Sequence, residues 1–234
     1  RNQPDNEITD HPKMKQTNHV NGLYKPENAK ESCGFGLIAH QHGKPSHELV
    51  STACTALTRM THRGAVAVDG KTGDGCGVLM QFPESFFRQI AEDEEIRLGR
   101  FFAVGMVFLS NDPVVAARSR KRLKKHIKNE TLSVAGWRTV PTNPSVCGEM
   151  ALESMPCIEQ VFVNIPHGWN PHDAERRLFV ARRLAAYENM NLEEPDDLFY
   201  VATFSNLTTV YKGLVMPENL AEFYPDLKDP RLES

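Results

Sequence analysis

The chain changes character abruptly between Ser32 and Cys33. Residues 1–32 are crowded with Asn, Asp, Glu, Lys and His, and only scattered apolar residues interrupt them. Such a segment cannot bury enough apolar surface to offset the conformational entropy that folding costs. From Cys33 the sequence reads Cys-Gly-Phe-Gly-Leu-Ile-Ala-His, which is typical of a buried strand. We therefore expect a polar leader, 1–32, that is disordered or removed, followed by a folded domain, 33–234.

The overall composition excludes several classes of protein. Hydrophobic residues make up 40% of the chain and charged residues 24%, which rules out wholesale disorder, collagen and a bare coiled coil. A formal net charge of −3 provides no overall attraction to nucleic acid or to anionic lipid. No stretch approaches the roughly 18 consecutive apolar residues that a membrane span needs, and the leader lacks the apolar segment of a secretory signal. We expect a cytoplasmic protein with no nucleic-acid or membrane partner.

The cysteine pattern fits neither a disulfide scaffold nor a zinc site. The five cysteines form no Cys-x-x-Cys pair and have no close histidine partner in the sequence; they are Cys33, Cys54, Cys76, Cys147 and Cys157. We therefore expect reduced thiols and no metal site, with one thiol that is chemically special.

Apolar periodicity predicts helices and strands along the folded domain. The predicted helices span 47–61, with Ser46 as its N-cap, 84–92, 113–129 and 172–188. The predicted strands span 33–40, 76–82, 101–109, 132–140, 158–165, 198–205 and 208–215, the last two as a hairpin-like pair. Because several strands follow one another with few helices between them, the pattern favours an α+β fold, a sheet flanked by helices, over regular βαβ units.

The helix predicted at 113–129 carries the densest basic cluster of the sequence. Its expected inner contacts are apolar and comprise Val114, Val115, Ala117, Leu123 and Ile127. The basic residues alone are compatible with phosphate binding, but no aromatic residues alternate with them to stack on bases. The pattern favours a solvated helix face or a subunit contact. A non-enzymatic interaction module that uses this helix stays open as an alternative function.

A glycine-rich run, Asp69-Gly-Lys-Thr-Gly-Asp-Gly, precedes the strand predicted at 76–82. A phosphate-binding P-loop would need a glycine five residues before Gly70, where Ala65 stands. A calcium-binding EF-hand loop would need other residues at Lys71 and Met80. Two interpretations remain: a tight turn with positive φ at several positions, or an active-site loop.

Cys33 stands at the junction between the leader and the folded domain. Cleavage at that point would place its thiol and a free α-amine on one residue. Because such an amine has a pKa of about 7.7–8.0, a useful fraction of it is neutral near pH 7 and is able to accept the thiol proton. A single residue could then act as both nucleophile and base.

Several ungapped runs resemble the large chain of glutamate synthase, within its class II glutamine amidotransferase domain. They are Cys33-Gly-Phe-Gly-Leu-Ile-Ala, Met60-Thr-His-Arg-Gly-Ala, Asp69-Gly-Lys-Thr-Gly-Asp-Gly-Cys-Gly, Ile158-Glu-Gln-Val-Phe-Val-Asn and Tyr211-Lys-Gly-Leu-Val-Met-Pro. The resemblance implies the N-terminal-nucleophile hydrolase fold, a four-layer αββα sandwich that is incomplete in this chain. It also implies that Cys33, freed by removal of a propeptide, attacks the side-chain amide of L-glutamine.

The same resemblance implies roles for other residues and for other molecules. Arg63 and Gly64 match a substrate-binding element beside the nucleophile, and Asp74, Gly75 and Gly77 match a structural turn near the site. The released ammonia would aminate 2-oxoglutarate to L-glutamate in a longer protein that uses FMN and an iron–sulfur cluster. Electrons would come from a small NADPH-oxidising subunit or from ferredoxin. Since the glutamine clamp and the oxyanion hole of the family lie beyond residue 234, we expect the 234 residues alone to be inactive.

Overall fold

A computed structural model of the chain describes residues 34–61 and 66–234. Within these ranges, strands and helices alternate irregularly, and the strands form antiparallel sheets. The α+β class predicted from the sequence is therefore confirmed. The predicted leader, 1–32, and the candidate residues Cys33, Arg63 and Gly64 lie outside the described residues.

The helices and strands predicted between residues 47 and 215 occur in the predicted order with small shifts at their ends, and two short helices, Glu149–Glu153 and Leu220–Phe223, were not predicted. The helices are α1 (His47–Thr58), α2 (Glu84–Asp93), α3 (Pro113–Asn129), α4 (Glu149–Glu153), α5 (Pro171–Met190) and α6 (Leu220–Phe223). The strands are β1 (Cys76–Gln81), β2 (Phe101–Leu109), β3 (Ser133–Thr139), β4 (Cys157–Ile165), β5 (Tyr200–Ser205) and β6 (Thr208–Gly213). None of the helices in the described ranges is long and apolar enough to cross a membrane.

The larger sheet has four antiparallel strands in the order β3-β4-β2-β5. Its centre is the pairing of β2 with β4, which runs from Phe101 opposite Ile165 to Leu109 opposite Cys157. Most residues of both strands are buried, on both faces; β2 is a continuous apolar run, whereas β4 also carries Glu159, Gln160 and Asn164. Helices α3 and α5 cover one face, where Val107 and Val163 of the sheet join a buried cluster with Leu123 and Leu178 of the helices.

The smaller sheet pairs β1 with β6 and packs on the other face of the larger sheet. Val78 and Met80 of β1 are buried there, whereas Leu79 between them is 67% exposed, as strand alternation requires. Val50 of α1 belongs to the same buried cluster. The described residues thus supply a helix layer and two sheet layers, and α1 packs against the smaller sheet.

The segment predicted as a buried strand at 33–40 is not one in its described part. Residues 34–40 have no regular secondary structure, and Phe35 and Leu37 are 92% and 89% exposed. A strand needs a neighbour to receive its backbone hydrogen bonds, and residues 34–40 pair with none of the described strands. The chain instead turns after this segment, where His40 Nδ1 accepts from the backbone nitrogen of His42.

The hairpin-like pairing expected for the strands at 198–205 and 208–215 is wrong. Strands β5 and β6 do not form a hairpin, because β5 pairs with β2 in the larger sheet and β6 pairs with β1 in the smaller one. The turn between them is held by Ser205, whose hydroxyl donates to Glu175 Oε1 at 2.9 Å and accepts from Leu207 N at 2.9 Å. The chain therefore crosses from one sheet to the other at this turn.

The inner face of α3 also differs from the expected one. Val114 is 66% exposed and Ala117 is exposed, whereas Ser119 and His126 are buried together with Leu123 and Ile127. The two polar side chains are accommodated because each finds a partner on another element. Ser119 Oγ donates to Asp196 Oδ2 at 2.8 Å, and His126 Nε2 lies 2.6 Å from Glu188 Oε2.

Candidate active-site cleft

A cleft of about 620 Å³ opens beside the glycine-rich turn and the smaller sheet. Asp74, Gly75 and Gly77, the three candidate residues that the structure describes, all line it. Most of the other described lining residues are apolar, and the charged ones besides Asp74 are Asp197 and Lys212. The structure thus brings the predicted turn to a concave surface of a size suited to a small ligand.

The turn has the backbone conformation that a tight turn requires. Gly70 and Gly75 have φ of +68° and +110°, in the region that residues with a side chain rarely adopt. Ala67 N donates to Thr72 O at 2.8 Å, and Val66 forms an isolated bridge with Gly73. The turn therefore folds back on itself before it enters β1 at the cleft.

Gly77 is required by the close approach of β6. A Cβ atom at this position would lie 2.8 Å from both Tyr211 O and Lys212 Cβ, which is shorter than van der Waals contact. Lys212, its cross-strand neighbour, extends its ammonium group to 5.2 Å from the centre of the Tyr200 ring. Gly77 thereby lets the side chain of Lys212 pass along the cleft towards β5.

The carboxylate of Asp69, at the start of the turn, connects the turn to another wall of the cleft. Asp69 was not among the site residues that the sequence predicted. Asp69 Oδ1 accepts from Lys71 N at 3.0 Å and from Thr72 N at 2.8 Å, while Oδ2 accepts from Thr72 Oγ1 at 2.5 Å. These hydrogen bonds hold the pKa of Asp69 well below its ordinary range. The sequence signal was an Asp followed by Thr three residues later, a spacing typical of side-chain capping of a turn.

The same two residues cap helix α4. Asp69 Oδ2 accepts from Met150 N, and Thr72 Oγ1 accepts from Ala151 N, each at 3.2 Å. The N-cap position of α4 is Gly148, which supplies no side-chain acceptor. A Cβ atom there would lie 2.7 Å from Thr72 N and closer still to the Asp69 carboxylate. The missing side chain of Gly148 therefore leaves room for Asp69 and Thr72 to reach the helix.

The thiols that the structure describes are poorly suited to nucleophilic attack. Burial raises the pKa of Cys76 to about 12, with a further contribution from the charge of Glu218, and its Sγ donates to Val215 O at 3.2 Å. Burial also raises the pKa of Cys54, Cys147 and Cys157. Because the thiolate is the reactive form, these four thiols are largely unreactive near neutral pH.

Part of the basic cluster on α3 serves the fold itself. Arg120 Nε donates to Glu159 Oε2 at 2.7 Å, which ties α3 to β4. Lys125 Nζ lies 3.0 Å from Glu188 Oε2 of α5, the carboxylate that also contacts His126. Arg120 and Lys125 therefore tie α3 to the larger sheet and to α5.

A metal centre requires several ligating side chains close together. Residues 34–61 and 66–234 contain no group of three or more His, Cys, Asp or Glu side chains that could hold a metal ion.

Comparison with known proteins identifies the family. Residues 33–234 match the family of class II glutamine amidotransferases. The chain is 39% identical over 209 residues to the glutamate synthase [NADPH] large chain of Bacillus subtilis, covering 89% of this chain and 14% of that protein. It is 39% identical over 203 residues to ferredoxin-dependent glutamate synthase 2 of Synechocystis, covering 86% of this chain and 13% of that protein.

A chloroplastic ferredoxin-dependent glutamate synthase of Spinacia oleracea is similarly related, with 39% identity over 207 residues. That alignment covers 87% of this chain and 13% of the relative. The chain thus spans about one seventh of the length of the curated relatives it matches. From the family match and these identities, we conclude that the chain belongs to the class II glutamine amidotransferases.

Proposed function

We propose that this protein hydrolyses the side-chain amide of L-glutamine with Cys33 as the nucleophile, as the glutaminase part of a longer glutamate synthase. The observation that carries the proposal is the start of the family match at Cys33 itself, where the polar leader ends. Removal of the leader, 1–32, leaves the domain, 33–234, with the thiol and the α-amine of Cys33 on its first residue.

The reaction then needs no separate basic side chain. The α-amine takes the proton of the Cys33 thiol as sulfur attacks the amide carbon of glutamine. The carbon–nitrogen bond breaks, the amine returns the proton to the leaving nitrogen, and ammonia departs from a thioester. Water, deprotonated by the same amine, attacks the thioester carbon, so that L-glutamate leaves and the thiol is restored.

The geometry of the described residues supports this assignment in two ways. The cleft beside Asp74, Gly75 and Gly77 offers a concave surface for a small substrate. Burial raises the pKa of each of the four described thiols, which lowers the fraction present as the reactive thiolate at neutral pH. Arg63 and Gly64 complete the substrate side of the proposal as groups that position glutamine.

The fate of ammonia follows from the longer relatives. Their printed names describe NADPH-dependent and ferredoxin-dependent glutamate synthases. We propose that ammonia from this domain aminates 2-oxoglutarate elsewhere in the longer protein, where FMN and an iron–sulfur cluster would deliver electrons from a small NADPH-oxidising subunit or from ferredoxin. No step of the hydrolysis at Cys33 depends on those groups.

Alkylation of the longer mature protein tests the nucleophile. Iodoacetamide at neutral pH should label Cys33 first, saturating L-glutamine should slow this labelling, and N-terminal sequencing should read Cys-Gly-Phe. Cys33→Ser should abolish both the labelling and glutamine hydrolysis, whereas the matched variant Cys54→Ser, in α1 and outside the cleft lining, should retain both. Rapid labelling of another cysteine while Cys33 stays unmodified, or hydrolysis by Cys33→Ser, would overturn the proposal.

A further inference from the structure

Two elements that are distant in the sequence form neighbouring parts of the cleft wall. The end of the glycine-rich turn contributes Asp74 and Gly75, and helix α4 contributes Ala151. Ser154, directly after α4, lines the same cleft. The shape of the cleft therefore depends on how α4 is held relative to the turn.

Interactions within helix α4 are not sufficient to fix its position. It is five residues long, and a helix of this length is not stable without tertiary contacts. Its first backbone N–H groups need acceptors from outside the helix, and its N-cap residue, Gly148, has no side chain to provide one. The acceptors for Met150 N and Ala151 N come instead from Asp69 and Thr72 of the turn.

Thr72 is the centre of this connection. Its side chain is largely buried, since the residue is only 7% exposed. Its hydroxyl donates to Asp69 Oδ2 and accepts from Ala151 N, so a single oxygen atom joins the turn to the helix. The Asp69 carboxylate in turn fixes the direction of that hydroxyl, because an ionised carboxylate only accepts hydrogen bonds.

We infer that Asp69 and Thr72 are positioning residues that set the width of the cleft between the turn and α4, and thereby select glutamine over the shorter asparagine. The inference rests on the proposed function. A displacement of about 1 Å at a substrate-positioning wall is enough to cost on the order of 100-fold in rate. In a pocket that fits one substrate, a difference of one methylene changes kcat/KM by about 10-fold to 200-fold. This discrimination is lost when the wall of the pocket moves.

The experiment uses the longer protein from which the leader, 1–32, has been removed. Thr72→Val keeps the shape of the side chain but removes the hydroxyl, whereas Thr72→Ser retains it as the matched control. We expect Thr72→Val and Asp69→Asn to raise KM for glutamine by about tenfold with a smaller change in kcat. We expect the ratio of kcat/KM for glutamine to that for asparagine to fall by a similar factor, and Thr72→Ser to stay within about twofold of the parent protein.

Hydrogen exchange provides a measurement that does not depend on glutamine hydrolysis. The amides of Met150 and Ala151 should exchange faster in Thr72→Val than in Thr72→Ser, while amides in β2 and β4 exchange as in the parent. If the parent protein does not hydrolyse glutamine, the proposed function fails, and the substrate selection inferred at this wall fails with it.

If the parent hydrolyses glutamine but Thr72→Val matches Thr72→Ser in KM, selectivity and exchange, the inference alone is overturned. It is also overturned if Thr72→Val slows glutamine and asparagine hydrolysis equally, because that result indicates a general loss of folding.

Discussion

Arg138 of β3 and Asp226 form a two-bond ion pair inside the protein, with Nη1 to Oδ2 and Nη2 to Oδ1 both 2.8 Å. Both side chains are at least nine-tenths buried. Gln160 of β4 accepts a further bond from Arg138 at 2.9 Å, and Tyr211 of β6 donates to Asp226 at 2.9 Å. The pair therefore links the larger sheet to the smaller sheet that lines the cleft.

Removal of one partner of this pair should strongly destabilise the fold. Asp226→Asn or Arg138→Met leaves a buried charge without its counterion, which costs about 3–5 kcal/mol in the free energy of unfolding. Urea denaturation of the chain measures this loss. The exposed pair Lys228–Glu222 serves as the control, since Lys228→Met should cost less than about 1 kcal/mol. Equal losses at the two pairs would contradict the role of the buried one.

The pKa of Asp69 predicts a dependence of stability on pH. The hydrogen bonds from Thr72 and Lys71 lower this pKa in the folded chain relative to the unfolded value of about 3.9. A depressed folded pKa stabilises the fold at pH values above the unfolded pKa, and the effect is lost as pH falls towards the folded pKa. The difference in thermal midpoint between the parent and Asp69→Asn should therefore be largest above about pH 5 and shrink below about pH 4. A difference in thermal midpoint that stays constant from about pH 3, below the unfolded pKa, to about pH 7, above it, would contradict this account.

Gly148 should not tolerate a side chain. Gly148→Ala places a methyl group against Thr72 N and the Asp69 carboxylate, so α4 must move away from the turn. We expect a loss of about 1–3 kcal/mol in the free energy of unfolding, as for overpacked sites. Gly36→Ala is the matched control, because a Cβ atom there has no neighbour within 4 Å among residues 34–61 and 66–234. If the denaturation curves of the two variants coincide, the close approach at Gly148 is not maintained.

The thiol of Cys76 should be slow to alkylate although it lines the cleft. With a pKa of about 12, its thiolate fraction at pH 8 is lower than that of an ordinary thiol by about a thousandfold. Mass spectrometry after iodoacetamide treatment should find Cys76 unmodified in the folded chain and modified in urea. Rapid modification of Cys76 in the folded chain would show that its thiol is not held at Val215 as described.

Two features that depend on interactions close along the chain were predicted correctly. The apolar run Phe101–Leu109 indicated a strand, and β2 spans these residues. Ser46 was predicted as the N-cap of α1, and its hydroxyl accepts from Leu49 N at 3.3 Å. In both cases the deciding interactions lie within a few residues along the chain, so periodicity and residue type contain the information.

The sequence named some residues of the cleft wall and missed others, and their nearness to the nucleophile stays a prediction, because Cys33 lies outside the described residues. Asp74, Gly75 and Gly77 were expected near the site, and all three line the cleft. Asp69 and Thr72 were not singled out, because their partners Met150 and Ala151 lie some eighty residues away. Nothing in a local pattern indicates that a turn will cap a helix so far along the chain.

The sequence by itself determined the α+β class, the order of the elements and, through runs such as Tyr211-Lys-Gly, the family. Only the tertiary structure decided that β5 and β6 belong to different sheets and that Arg138 is buried against Asp226. Local propensity depends on residues that are neighbours along the sequence. The choice of a partner strand, counterion or cap depends on contacts between distant segments, and these exist only once the chain has folded.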